Sequence, residues 1–110
     1  MKLFTEKNYQ DILNADSVSF IFFTSENCHL CKELKPIIEK LEGSYKDIDF
    51  YLCKINEQPK LTKALLKGEG VPTGFVVKEG KTYKMKDPLE PDDDSWYSKQ
   101  YLTELIEALT

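Results

Sequence analysis

At 110 residues, 41% of them hydrophobic and 31% charged, the chain has the size and make-up of one folded globular domain, which excludes a fibrous or disordered protein. A formal charge of -4 and a pI near 5.0 argue against nucleic acid as the main partner, because phosphate neutralisation needs a basic face. The longest apolar run, Val18 to Phe23, is too short to span a bilayer. Met1-Lys2-Leu3-Phe4 leads at once into polar residues and not into an export signal, so a cytoplasmic setting with no membrane partner is expected.

Residues 2 to 4 suit a short edge strand, and Thr5 is placed to N-cap a helix over about residues 6 to 14, with Phe4 and Tyr9 as its hydrophobic staple. Ser17 to Thr24 contains Val18, Phe20, Ile21, Phe22 and Phe23, the pattern of a strand buried on both faces. Leu30, Leu34, Ile37, Ile38 and Leu41 then form a helical stripe that Gly43 is expected to stop. Pro36 falls inside that helix, where it removes one backbone hydrogen bond and favours a kink.

Asp47 to Ile55 reads as a further strand, and Pro59 opens a short helix whose buried face is expected to be Leu61, Ala64 and Leu65. After Gly68-Glu69-Gly70 and Val71-Pro72-Thr73, residues 74 to 78 and 81 to 85 make a hairpin about Glu79-Gly80. An acidic loop, Asp87 to Asp94, precedes a C-terminal helix striped by Tyr97, Tyr101, Leu102, Leu105, Ile106 and Leu109, with Trp96 an apolar anchor at its start. The loop spacing matches no EF-hand, and Asp94 or Ser95 suits the helix N-cap. The order is βαβαβαββα, one α/β domain.

Chemistry concentrates at Ser25-Glu26-Asn27-Cys28-His29-Leu30-Cys31-Lys32, where the first buried strand gives way to the long helix. Cysteines three apart lie about one helical turn from each other, and a thiol at a helix start faces amides that stabilise a thiolate. In open α/β sheets, reaction sites gather at the carboxyl ends of strands. The same spacing also serves half of a zinc site, with only His29 and Cys53 as further soft ligands, or a pair of inert thiols. Cys53 reads as a core thiol, and an odd third cysteine argues against a structural disulfide framework.

Cys28-His29-Leu30-Cys31-Lys32, Pro36 five residues on, Lys54-Ile55-Asn56 at a strand end and Val71-Pro72-Thr73 before a hairpin together resemble the thioredoxin family over nearly the whole chain. The resemblance implies a central mixed sheet flanked by helices, with Cys28 the attacking thiolate, Cys31 the resolving thiol, and Pro72 cis beside them. It also implies a substrate surface at Asn27, Val71, Pro72 and Thr73, with His29 also lining it, holding the target as an added strand. The expected activity is reduction of disulfides in proteins or small molecules by a monomer reset by an external reductant, without metal or organic cofactor.

Four positions depart from the pattern. Asn27 stands where thioredoxins carry tryptophan, and Phe22 where they keep a buried aspartate, leaving water, Lys54 or Glu26 to move the second thiol's proton. His29-Leu30 replaces the usual Gly-Pro, and a protonated His29 near Cys28 would lower the thiol pKa and favour the reduced form. His29, Lys54 and Glu26 are therefore the expected tuning residues. A thioredoxin-like binding module with little turnover is the alternative from another class.

Overall fold

The computed structural model describes residues 1–67, 71, 73–84 and 107. Its elements are β1 (Lys2–Leu3), α1 (Tyr9–Leu13), β2 (Ser19–Thr24), α2 (His29–Ser44), β3 (Asp49–Lys54), α3 (Pro59–Leu66), β4 (Thr73–Lys78) and β5 (Lys81–Lys84). The expected Gly68-Glu69-Gly70 break, Pro72, the acidic loop, Trp96 and the Tyr97-to-Leu109 stripe lie outside the described residues.

The strands form one mixed sheet in the order β1-β3-β2-β4-β5. β3 runs parallel to both β1 and β2, while β4 runs antiparallel to β2 and β5. Because strand side chains alternate, β2 feeds two cores at once. Phe20 and Phe22 pack with Cys31, Leu34, Ile38 and Leu41 of α2 and with Phe50, Leu52 and Val76. Ile21 and Phe23 pack on the other face with Phe4, Ile12, Cys53, Leu61 and Leu66. Phe20 to Phe23 are each at most 1% exposed, so every side chain in that run contributes about 1.5–3 kcal/mol of burial. Phe23 also meets Phe4 and Phe75 edge to face, with ring centroids 6.3 and 5.5 Å away.

Helix ends differ from expectation for local reasons. Thr5 does not cap α1, which begins four residues later. Asn8 takes over the turn, its Oδ1 accepting from the Thr5 N–H at 2.8 Å and its Nδ2 donating to the Leu3 carbonyl at 2.9 Å. Such side-chain bonds compete with helix for the same backbone groups. Gly43 does not stop α2 either. The helix continues to Ser44, and the Tyr45 N–H closes it on the Leu41 carbonyl at 2.9 Å. A mid-helix glycine costs only about 1 kcal/mol, less than burying Leu41 returns.

α3 starts at Pro59 as expected, but its buried residues are Leu61 and Leu66 while Ala64 is exposed and Leu65 half-buried. The hairpin turn has positive φ at both central residues, 54° at Glu79 and 77° at Gly80. That is the two-residue turn whose twist suits the strands it joins.

Candidate functional site

Strand register gathers the motif residues at one end of the sheet. Thr24 pairs with Lys54 across β2 and β3, and Phe23 pairs with Thr73 across β2 and β4. Ser25-Glu26-Asn27 then crosses to α2, so the first turn of that helix, the end of β3 and the start of β4 surround one junction.

Cys28 is the N-cap of α2, with an extended backbone, and its Sγ accepts the Cys31 N–H at 3.1 Å. Cys28 and Cys31 are joined as a disulfide with Cα atoms 5.2 Å apart, inside the range such bonds require. The two sulfurs differ in access. Cys28 is half-buried, whereas Cys31 is 1% exposed and belongs to the core with Phe22, Leu34 and Ile38. When the bond opens, negative charge on Cys28 faces the amide end of a 16-residue helix, worth about 0.3–1 kcal/mol to a thiolate.

His29 is exposed, and its Nε2 lies 3.1 Å from Glu33 Oε1, one turn along α2. That partner was missed in the sequence, although the four-residue spacing signals it. The carboxylate's opposite charge weakens any field that a protonated imidazole exerts on Cys28. Asn27 and Glu26 are exposed beside the pair. Val71 is half-buried and packs against both cores, while Thr73 is 2% exposed, its side chain buried at the start of β4. Pro72 lies outside the described residues.

A cavity of about 180 Å³ backs onto Cys31, lined by Thr24, Ser25, Glu26, Lys32, Lys35, Leu52 and Lys54 as well. It brings the expected tuning residues Lys54 and Glu26 together beside the buried cysteine. Lys32 and Lys35 join them there, both exposed on the rim.

Cys53 is fully buried in the opposite core, separated from the pair by the sheet. Burial first, and the Glu6 charge second, push its pKa up to about 12. It is thus a neutral core thiol that cannot complete a metal site with Cys28 and Cys31. Among the described residues no cluster of three His, Cys, Asp or Glu side chains is placed to hold a metal ion.

A half-buried and a buried cysteine, bridged across the first turn of a helix that follows a central strand, define a dithiol–disulfide exchange domain. The family model for thioredoxin matches residues 1–94. Thioredoxin 2 of Chlorobaculum tepidum is 34% identical over 79 residues, covering 70% of this chain and 72% of the relative. Thioredoxin H2 of Arabidopsis thaliana is 24% identical over 74 residues, 67% of this chain and 55% of the relative. The fold is that of the oxidised crystal structure of mitochondrial thioredoxin 3 from Saccharomyces cerevisiae, with a TM-score of 0.79, 22% identity, and 98% of this chain and 93% of the other covered. The chain belongs to the thioredoxin family and is a dithiol–disulfide oxidoreductase.

Proposed function

We propose that the chain works as a reductase of disulfides in proteins or low-molecular-weight compounds. The observation carrying this is the unequal access of the bridged sulfurs, half-buried at Cys28 and 1% exposed at Cys31. The Cys28 thiolate attacks one substrate sulfur, and the other leaves as a thiol. Cys31 then loses its proton and attacks Cys28, releasing the second substrate thiol and restoring the bridge. Two electrons pass to the substrate, and an external dithiol or equivalent reductant returns them.

Substrate lies beside Asn27, Val71 and Thr73, paired along the backbone as an added strand, with Pro72 cis on the strength of the resemblance. A monomer in a reducing cytoplasm fits the odd, buried Cys53. The test is a pair of variants. Cys28→Ser abolishes turnover of a model disulfide, while Cys31→Ser accumulates a mixed disulfide at Cys28, seen by mass spectrometry. Wild-type rates in the Cys28→Ser protein sink the assignment.

A further inference from the structure

The cavity beside Cys31 has a charge opposite to that of the chain. A protein of formal charge -4 gathers Lys32, Lys35 and Lys54 around one opening, against a single carboxylate, Glu26. Lys32 and Lys35 stand three apart on α2 and so share a helical face, and Lys54 comes from the end of β3. All three are exposed, and none is in an ion pair among the described residues. Like charges crowded on one rim repel, and an anion seated among them relieves that repulsion. The Thr24 and Ser25 residues on the same lining bring hydroxyl donors.

We propose that this cavity is a carboxylate-binding subsite for the substrate, so that the enzyme prefers disulfides carrying a carboxylate a few bonds from the sulfur. The inference rests on the reductase reading and adds the substrate class to it. Position supports it: Cys31 lines the cavity and is one S–S bond from the Cys28 sulfur, and Lys32 directly follows the pair. The volume takes a short acidic arm with some of its water. Glu26 subtracts one charge from the rim and leaves an excess of two ammonium groups.

The test uses pre-reduced full chain in single turnover against dithiodiglycolate, hydroxyethyl disulfide and cystamine, which are anionic, neutral and cationic. Wild type reduces the anionic compound fastest relative to the Lys32→Gln/Lys35→Gln protein. An exposed pair is worth roughly 0.2–1 kcal/mol, so losing both lysines lowers the anionic rate between about twofold and about thirtyfold. The neutral rate stays within about twofold, and the anionic advantage fades in high salt, where screening reaches about 3 Å.

Disulfide-linked peptides with Glu or Lys beside the cysteine form the second arm. A Glu preference there places the carboxylate on protein substrates, and a preference confined to dithiodiglycolate places it on small molecules; either supports the subsite. An anionic-to-neutral ratio equal in wild type and the double variant, in both arms, overturns it while leaving the reductase reading intact. No reduction of any of these compounds overturns both.

Discussion

Replacing Phe22 by Asp puts a carboxyl group back where thioredoxins keep one, into surroundings built for a phenyl ring. Phe22 is fully buried and packs with Cys31, Leu34 and Ile38. Removing the ring costs about 3–5 kcal/mol from transfer and cavity terms, and Phe22→Asn, with the same shape as Asp, measures that cost without a titrating group. The carboxyl group adds a pH-dependent part, because burial disfavours its charged form and raises its folded pKa above an unfolded value of about 3.9.

A raised folded pKa means that the native state holds the proton longer than the unfolded state. Stability is therefore intact below about pH 3.9 and lost as pH climbs through the folded pKa. A rise of about three units removes about 4 kcal/mol by pH 8, on top of the shape cost, from a total of about 5–15. Urea midpoints at pH 4 and pH 8 read this directly. The Asp and Asn variants should coincide at the acid end and diverge at pH 8, with Asp lower. Parallel midpoints across the range would refute the reasoning and mean that water from the neighbouring cavity reaches position 22.

Cys53 gives a second pH test. Its folded pKa is about 12 against an ordinary 9.0, so its contribution to stability is complete below pH 9 and is lost as pH rises toward 12. Below pH 9 iodoacetamide should label reduced Cys28 within minutes and leave Cys53 unlabelled until the protein unfolds; peptide mass spectrometry giving equal labelling would contradict its placement. In the hairpin turn, Glu79 holds φ at 54°, a conformation asparagine adopts more readily, so Glu79→Asn should raise stability by about 0.5–1 kcal/mol. A lower thermal midpoint would count against that turn geometry.

The strand and helix bearing the site were legible because their patterns are strong and local. Phe20 to Phe23 is an uninterrupted apolar run, and Leu34, Ile38 and Leu41 keep helical spacing down to Cys31, which proves to be the first buried residue of that stripe. Weakly patterned ends were not legible. Thr5 looks like a cap until Asn8 bonds backward to Leu3 and Thr5, and Ala64 looks buried until Leu66 takes the inner position. The cysteine spacing announced the dithiol, and the resemblance pointed to Lys54 and Glu26 beside it, but the cavity they share with Lys32 and Lys35 did not show in sequence. Lys32, Lys35, Lys54 and Glu26 meet only because β3 lies beside β2, a pairing that joins residues about thirty positions apart.

β2 is hydrogen-bonded on both sides, to β3 and to β4, and is sealed under side chains on both faces. Its amides should exchange with solvent only when the whole domain opens. The segment from Ser25 to Asn27 begins where that protection stops, with exposed Glu26 and Asn27. Bond making and breaking at Cys28 thus takes place at the hydrogen-bonded first turn of α2, one short exposed segment away from a strand protected on every side. Each redox cycle can re-form a few local contacts while the register of the strand beneath it is never in play.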